Sequence, residues 1–394
     1  MVTNLKIALA QLNPLVGDVV GNTKKLIDVR SKLDKDVDIL VAPELYISGY
    51  PIDDLVLRED FLDLVNKEIN NLAKITTDNK SAIIVGAPRK NDGSIKNSVF
   101  VIEKGEIISV KDKHELPNTG VFDEQRIFKK GHLENCVKIK GVNVGLPICE
   151  DIWKKTVLKK LSESGAEIII AINASPFTIS KYDERNDIAL SRVKETKLPI
   201  VYLNRTGGQD ELIFDGSSFS LNYDGKKFSS LEEFKEDISI INFSKNNGKW
   251  IGYGNLKENS SQSERLYKAL VLGLRDYVKN NKFSGVVLGL SGGVDSALVA
   301  ALATDAFGSK FVQAIMLPSP YTGEESLKDA KDVATLLNIK YSNLKISEAM
   351  KTVDEILGDF KGPNFTAGIT EEIFNQDLEV FCLWHYLIDM DTWY

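Results

Sequence analysis

The segment 286-VVLGLSGGVDSALVAAL-302 runs from an apolar stretch through a glycine turn into a segment rich in alanine and leucine. Residues 286–290 predict a buried strand, and residues 295–307 predict a helix. A strand that ends in a glycine turn before a helix directs free backbone N–H groups, and the positive end of the helix dipole, at one point. The segment therefore predicts a site for an anion such as a phosphate.

The residues of the turn suit that purpose. Gly292 and Gly293 let the backbone approach an anion closely, and Ser291 and Ser296 add hydroxyl donors. No lysine follows, so the turn is not the Gly-x4-Gly-Lys-Ser/Thr loop of kinases and GTPases. It resembles the PP-loop of ATP pyrophosphatases. The resemblance implies that ATP binds through six consecutive residues: Ser291, Gly292, Gly293, Val294, Asp295 and Ser296.

Two other interpretations of the turn stay open. A Gly-Gly pair after a strand is often a plain β-to-α turn. The segment 289–293 also satisfies Gly-x-Ser-x-Gly, the nucleophile elbow of α/β-hydrolases, in which the catalytic histidine follows the serine. His385 is the one histidine after Ser291 in the sequence. The six-residue context favours the phosphate loop over both alternatives.

Outward from the turn, the chain repeats a strand-helix order. We expect a helix over 264–277, strands over 312–317 and 344–346, and a helix over 324–337. This order predicts an open, doubly wound parallel sheet with the turn at the carboxyl end of its strand. We expect the domain that holds this sheet to cover 264–372 and to be incomplete.

The first part of the chain alternates β-branched runs with amphipathic segments, which predicts a mixed α/β domain over 1–245. A polar, glycine-bearing linker is expected over 246–263. The predicted helices are 23–33, 60–72 and 157–164. The predicted strands are 7–12, 37–41, 82–86, 98–102, 107–110, 142–146, 168–172, 200–203, 218–222 and 238–243.

Composition excludes several classes of protein. The net charge is −7, with 49 basic and 56 acidic residues and no Lys/Arg block, so a nucleic-acid partner is not expected. No apolar run approaches the roughly 20 residues of a membrane span, and the N-terminus lacks a signal-peptide pattern. We therefore expect a cytoplasmic protein without a membrane partner.

The three cysteines are too few and too scattered for a disulfide framework, and no Cys/His spacing predicts zinc. They are Cys136, Cys149 and Cys382. A single reactive thiol fits this usage.

A second candidate site comes from three residues that end strand-like runs, namely Glu44, Lys113 and Cys149. Singly, each has an ordinary explanation, since most Glu and Lys side chains are solvated and most lone cysteines are buried hydrophobes. Together they resemble the Glu, Lys, Cys set of the nitrilase, or carbon-nitrogen hydrolase, superfamily. That resemblance also implies Glu124 as a second carboxylate that orients the base and the lysine.

Amide hydrolysis explains the residue types. Cys149 supplies a thiolate, activated by a depressed pKa or by an adjacent base. Glu44 takes the thiol proton and returns it to the leaving amine. Lys113 stabilises the tetrahedral oxyanion, a contribution of about 3 kcal/mol for one such donor.

The motifs together resemble the glutamine-dependent NAD+ synthetase family over residues 5–372. Those of the first domain are 41-VAPEL-45, 116-LPNTGVFDE-124, 148-ICEDIW-153, 172-INASPF-177 and 204-NRTGGQDE-211. Those of the second are the PP-loop, 317-LPSPYT-322 and 326-SLKDA-330.

The resemblance implies a four-layer α-β-β-α glutaminase domain and a synthetase domain of the adenine nucleotide α-hydrolase type. Ammonia from glutamine crosses a tunnel and displaces AMP from adenylated deamido-NAD+, with ATP as substrate and Mg2+ on its phosphates. Ser175 and Arg185 are candidate glutamine contacts. At the position of Thr119 the family usually has a tyrosine that shapes the glutamine pocket. A homo-oligomer is expected, and the Mg2+ ligands are not identified.

The tail 373–394 departs from the family pattern. A one-nucleotide shift of frame after Glu372 restores the expected family helix, so we expect a frameshift product and an incomplete synthetase site. Resequencing the DNA tests this hypothesis. Two other functions stay open. A stand-alone amidase or glutaminase would release ammonia without ATP or NAD+ formation, whereas a non-enzymatic nucleotide-binding subunit would lose nothing on Cys149→Ala.

Overall fold

The computed structural model describes residues 2–318 and 322–357 and divides the chain into two compact units. Unit 1 extends to Gly273, and unit 2 begins at Leu274. The predicted frameshift segment 373–394 and residues 319–321 of the second-domain motif lie outside the described residues.

Strands and helices alternate along much of unit 1, although the helix Lys181–Thr196 and several short strands were not predicted from the sequence. In chain order they are β1 (Asn4–Gln11), α1 (Val19–Ser31), β2 (Ile39–Val41), α2 (Glu59–Ile75), β3 (Ala82–Asn91), β4 (Ser94–Glu103), β5 (Glu106–Asp112), α3 (Glu124–Ile127), β6 (Val137–Ile139), β7 (Val142–Gly145), α4 (Lys155–Glu163), β8 (Ile168–Asn173), α5 (Lys181–Thr196), β9 (Ile200–Asn204), β10 (Thr206–Gln209), β11 (Leu212–Asp215), β12 (Phe219–Leu221), β13 (Lys227–Ser230), β14 (Asp237–Asn246) and β15 (Lys249–Tyr253). Short 3-10 helices occupy Asp53–Leu57, Thr76–Asp78 and Cys149–Trp153.

Helix α6 (Gln262–Asn280) crosses the boundary between the units. The described elements after it are β16 (Val286–Gly289), α7 (Val294–Phe307), a 3-10 helix (Ser309–Phe311), β17 (Val312–Met316), α8 (Glu324–Leu336), β18 (Lys340–Asn343) and α9 (Ser347–Leu357).

Two large sheets form the centre of unit 1. Their strand orders are β15-β14-β1-β2-β3-β4-β5 and β13-β12-β9-β8-β7-β6. Apolar residues such as Leu9, Val41, Val144 and Ile170 fill the space between the sheets. Helices α1 and α2 cover the outer face of the first sheet, and α4 and α5 cover that of the second. The four-layer α-β-β-α arrangement is therefore confirmed.

Helix α2 shows why an outer helix forms: one apolar side of it packs on a sheet. Buried residues of α2 recur every three or four positions at Phe61, Val65, Ile69 and Leu72, so one apolar stripe faces the sheet. The central strands of each sheet have apolar residues on both faces, because each sheet is covered by helices on one side and by the other sheet on the other.

In unit 2, the described strands form a parallel sheet in the order β16-β17-β18. Buried residues of α7 and α8, including Ala300, Ala303, Ala330 and Ala334, pack on it. The small side chains let the helices lie close to the strands. The predicted βαβ order is confirmed, and the turn 290–293 follows the carboxyl end of β16. None of the helices within the described residues is both long and apolar enough to cross a bilayer.

Two predicted boundaries were wrong. The strand expected over 344–346 lies instead at Lys340–Asn343, where it pairs with β17, while Ile346 is buried just before α9. Part of the predicted linker 246–263 is β15, which pairs with β14 and buries Trp250. A short strand interrupted by Gly252 has too little periodicity to stand out in the sequence.

Candidate active site

Three strand ends bring the predicted catalytic residues of unit 1 together. Glu44 follows β2, Lys113 follows β5, and Cys149 follows β7 at the start of a 3-10 helix. All three side chains are buried. The thiol of Cys149 lies close enough to Glu44, Lys113 and Glu124 for their charges to shift its pKa. The structure thus assembles the four residues that the sequence predicts as catalytic.

The ammonium of Lys113 lies between two carboxylates. Its Nζ is 2.7 Å from Oε1 of Glu44 and 2.9 Å from Oε1 of Glu124. Burial alone lowers the pKa of Lys113, but the two carboxylates reverse this effect and raise the pKa well above its ordinary value. Lys113 is therefore a permanent cation, and one of its three N–H donors is left after these two bonds to described residues.

The carboxylate of Glu44 is held by one donor from strand β4 and one from the residue that follows β8. Nδ2 of Asn97 donates to its Oε1 at 2.8 Å, and the backbone N–H of Ala174 donates to its Oε2 at 2.8 Å. The backbone carbonyl of Asn97 also accepts from the N–H of Lys113 at 2.8 Å. Asn97 therefore orients both the base and the cation. Sequence reasoning missed it, because Asn97 stands between Lys96 and Ser98 in β4 and no local pattern sets it apart.

Tyr50 supports the second carboxylate, and sequence reasoning missed it as well. Its hydroxyl donates to Oε1 of Glu124 at 3.1 Å. Burial, with Glu124 and Glu44 nearby, raises the pKa of Tyr50 well above its ordinary value, so the hydroxyl stays protonated as a donor. Burial also raises the pKa of Glu124, Lys113 opposes this shift, and Glu44 adds to it.

Cys149 has a strained backbone and a thiol with a raised pKa. Its φ of +46° lies in the left-handed region, which non-glycine residues rarely adopt. Burial first, and then the charge of Glu44, raise the pKa of Cys149 well above its ordinary value, with Lys113 opposing. A raised pKa does not support the first of the two predicted ways to activate the thiol, which is a depressed pKa. Activation by an adjacent base is the alternative that fits.

Asp151 connects the segments that hold Lys113 and Cys149. Its Oδ1 accepts from the backbone N–H groups of His114 at 3.1 Å and Glu115 at 2.7 Å, and its Oδ2 accepts from that of Ile148 at 3.0 Å. The side chain is buried. Sequence reasoning quoted this aspartate within a motif but gave it no role.

The predicted glutamine contacts Ser175 and Arg185 bond to each other. Nε of Arg185 donates to Oγ of Ser175 at 3.1 Å, and Nη2 donates to the carbonyls of Ser175 and Pro176 at 2.7 and 2.8 Å. Nη1 forms an ion pair of 2.7 Å with Asp215. Because its guanidinium is fully buried and engaged in this way, Arg185 supports the loop of Ser175 and does not face an open cavity.

Two open cavities of the described surface measure about 420 and 680 Å³. The larger is lined by Glu150, which follows Cys149 in the chain, and does not have the four predicted catalytic residues in its wall. Thr119 lies on the wall of the larger cavity, on the loop 115–122. Glu150 and Lys181 bring charges of opposite sign to the same wall. Nζ of Lys181 lies 4.4 Å from the ring centroid of Trp153. Lys181 begins α5, and the sequence offered no pattern that would have identified it.

The glycine turn of unit 2 has the form expected of an anion loop. Gly292 has φ +84°, and a Cβ there would lie 2.3 Å from the carbonyl oxygen of Ser326, so glycine is required. The hydroxyls of Ser291 and Ser296 are 3.1 Å apart, and that of Ser296 donates to the carbonyl of Gly293. Val294 and Asp295 begin α7 and are exposed, as are Ser291 and Gly293.

The glycine turn has two alternative interpretations, a plain β-to-α turn and a nucleophile elbow. A bare β-to-α turn would not need a glycine pressed against a second helix, whereas Gly292 is pressed against α8. His385, which a nucleophile elbow would require, lies outside the described residues. Within the described part of the chain, no group of three His, Cys, Asp or Glu residues could hold a metal ion.

Comparison with known proteins gives two families in the same order as the two units. The carbon-nitrogen hydrolase family matches residues 6–250, and the NAD synthase family matches residues 266–373. A mutant amidase from Nesterenkonia sp. AN1, solved with acrylamide added at its active-site cysteine, is 19% identical with a TM-score of 0.52. It covers 60% of this chain and 92% of its own length, and this likeness shows the nitrilase-like fold of unit 1.

Relatives with both domains are more similar. The glutamine-dependent NAD(+) synthetases of Rhodobacter capsulatus and Aquifex aeolicus are each 36% identical, over 96% and 94% of this chain and 68% and 72% of their own lengths. A glutamine-dependent NAD+ synthetase structure from Acinetobacter baumannii, in complex with ADP, has a TM-score of 0.93 at 35% identity and covers 97% of this chain and 72% of its own. Because such relatives align over more than two thirds of their own length, the chain belongs to the glutamine-dependent NAD+ synthetase family.

Proposed function

We propose that the protein is a glutamine-hydrolysing NAD+ synthetase in which Cys149 of unit 1 attacks the side-chain amide of glutamine. The observation that carries the proposal is the buried group of Glu44, Lys113 and Glu124 beside the Cys149 thiol. This group supplies a nucleophile, a proton acceptor and a fixed positive charge, which are the three requirements of amide hydrolysis.

In the first step, Glu44 takes the thiol proton as the sulfur of Cys149 bonds to the amide carbon. The remaining N–H of Lys113 stabilises the oxyanion of the tetrahedral intermediate. When the C–N bond breaks, Glu44 returns the proton to the leaving nitrogen, so ammonia departs and a thioester remains. Because burial raises the pKa of the Cys149 thiol, we infer that its proton leaves together with the attack.

In the second step, water replaces ammonia. Glu44 takes a proton from the water as its oxygen bonds to the thioester carbon, and Lys113 again stabilises the oxyanion. The C–S bond then breaks, the thiolate recovers the proton, and glutamate leaves. The proton balance closes because Glu44 ends each step in its starting form.

Charges on the cavity wall fit the free amino-acid end of glutamine. Lys181 can pair with the α-carboxylate, and Glu150 can pair with the α-ammonium. Thr119 leaves more space on this wall than the tyrosine usual in the family. These residues would select glutamine over amides that lack the zwitterionic end.

We further propose that unit 2 uses the ammonia. The carboxylate of deamido-NAD+ attacks the α-phosphate of ATP, diphosphate leaves, and ammonia displaces AMP from the adenylate to form NAD+. The turn holding Gly292 and Gly293 would bind the departing diphosphate through backbone N–H groups and the hydroxyls of Ser291 and Ser296. Mg2+ would screen the phosphates, although the described residues contain no group of three His, Cys, Asp or Glu side chains that could hold it.

Replacement of the nucleophile tests the glutaminase half. We expect Cys149→Ser to lower ammonia release from glutamine by about a thousandfold or more, since a hydroxyl is a far weaker nucleophile in a site shaped for sulfur. Coupled glutamate dehydrogenase measures the ammonia. The control is Cys136→Ser, a half-buried thiol outside the site, which should keep wild-type activity. Undiminished release by Cys149→Ser would remove Cys149 from the mechanism.

A further inference from the structure

The two sides of the glutaminase site belong to different sheets. Lys113 follows β5 of the first sheet, whereas Cys149 follows β7 of the second. Relative movement of the sheets would change the distance between the oxyanion-stabilising ammonium and the nucleophile. Displacements of about 1 Å in such a pair cost on the order of a hundredfold in rate.

One buried side chain bridges this junction. Asp151 accepts N–H bonds from His114 and Glu115, which follow Lys113, and from Ile148, which precedes Cys149. The donor–acceptor distances are 3.1, 2.7 and 3.0 Å. A carboxylate has acceptor sites on both oxygens, so it can serve both segments at once.

We infer that Asp151 is a positioning residue that holds the Lys113 segment against the Cys149 turn and so sets the geometry for attack on the amide. The inference rests on the proposed glutaminase function. Asp151 reaches neither the cavity wall nor the reacting atoms, and it acts through the backbone on each side of the site.

This bridge requires the ionised form of Asp151. A proton would turn one acceptor oxygen into a donor that faces backbone N–H groups, and a bond to one segment would be lost. Burial raises the pKa of Asp151 to about 7, opposed by the backbone N–H groups of Glu115 and Ile148, the charge of Lys113 and the N–H of His114. The neighbouring titratable groups on its own turn are Cys149 and Glu150.

The need for an ionised Asp151 makes glutamine hydrolysis depend on pH. The ionised bridge is present above its pKa and is lost as pH falls through about 7. The rate of glutamine hydrolysis should therefore decline on the acid side of neutrality, with the midpoint of the decline near pH 7.

The test compares wild type and Asp151→Asn in the 394-residue protein. The asparagine keeps one acceptor oxygen but presents an N–H2 group to the other segment, so we expect kcat for ammonia release to fall about a hundredfold. KM for glutamine should change little, and the acid limb should disappear from the pH profile. The matched control is Asp38→Asn, which also accepts a backbone N–H but lies at the opposite end of β2 from Glu44.

The outcomes separate the two proposals. If wild type releases no ammonia from glutamine, the proposed function fails. If wild type is active but Asp151→Asn keeps its kcat and its acid limb, the inference about Asp151 is overturned.

A second variant covers the case in which Asp151→Asn does not fold. His114 contributes its backbone N–H to Asp151, and His114→Gln keeps that N–H while removing the imidazole, so the pH profile of this variant decides which group causes the acid limb. Retention of the limb in His114→Gln supports Asp151. Loss of the limb there would assign it to the histidine and overturn the inference.

Discussion

Lys113 is the residue on which the charge balance of the glutaminase site depends. It is buried between Glu44 and Glu124, and it opposes the rise in the pKa of Glu124 that burial causes. Without this cation, two carboxyl groups would be buried close together, and ionising both of them would cost much free energy. The lysine therefore has a structural role in addition to its proposed catalytic one.

We predict that Lys113→Met destabilises the protein by about 3–5 kcal/mol at pH 8, the usual cost of removing one partner from a buried ion pair. The loss should be smaller at pH 5. In the variant, the pKa of Glu124 in the folded state rises further above its ordinary value. The loss of stability is therefore absent below the ordinary pKa and grows as pH rises from there through the raised pKa. Urea unfolding at the two pH values measures it.

Lys111→Met is the control for this experiment. Lys111 lies on β5, two residues from Lys113, and its ion pair with Glu134 is partly exposed at 3.2 Å. Such a pair contributes at most about 1 kcal/mol. Equal deficits for Lys113→Met at pH 5 and pH 8 would show that lost packing, rather than uncompensated charge, causes the destabilisation.

At the level of elements, the segment after β2 packs directly on β3 at Gly86. A Cβ at Gly86 would lie 2.3 Å from the backbone nitrogen of Leu45 and 2.7 Å from Cα of Glu44. The N–H of Gly86 donates to the carbonyl of Pro43 at 3.1 Å, and its carbonyl accepts from Ile47. The absence of a side chain on β3 therefore decides where Glu44 lies.

We predict that Gly86→Ala shifts the Glu44 segment and lowers both stability, by about 1–3 kcal/mol as for other overpacked sites, and kcat for ammonia release, by about tenfold or more. Circular dichroism melts and glutaminase assays measure the two effects. Gly93→Ala is the comparison, because Gly93 has φ +73° with nothing within 4 Å of an added Cβ. It should lose stability through backbone strain alone and keep kcat.

Across the whole molecule, the two kinds of chemistry occupy separate compact units. The buried thiol site lies in unit 1, and the exposed glycine turn lies in unit 2. Helix α6 is one continuous element that belongs to both. Damage to one site should therefore leave the local structure of the other intact.

We predict that Gly292→Ala abolishes binding of ATP or diphosphate while basal ammonia release from glutamine persists. The added methyl would meet the carbonyl of Ser326 in a backbone conformation that alanine rarely adopts. Calorimetric titration with diphosphate measures the first effect, and the ammonia assay measures the second. Cys149→Ser is the reciprocal variant and should bind diphosphate normally. Normal diphosphate binding by Gly292→Ala would contradict the assignment of the turn.

The catalytic residues could be predicted from the sequence because Glu44, Lys113 and Cys149 each stand at the end of a strand-like run. The supporting residues could not be predicted in this way. Asn97 bonds to Glu44 across 53 positions, and Tyr50 bonds to Glu124 across 74. In the sequence each is an ordinary polar or aromatic residue. Arg185 is a further example. It is predicted to contact glutamine, but in the structure its guanidinium is buried and forms an ion pair with Asp215.

The order of strands and helices and the glycine turn after β16 follow from local apolar periodicity and from the backbone freedom of glycine, which any short window of the chain contains. Family membership followed from motifs of the same short length. Only the tertiary structure decides three features of the site: the raised pKa of Cys149, the cation shared by Glu44 and Glu124, and the bridge through Asp151. A pKa or a buried hydrogen bond depends on neighbours in space, and neighbours such as Glu44 and Lys113 lie 69 positions apart along the chain.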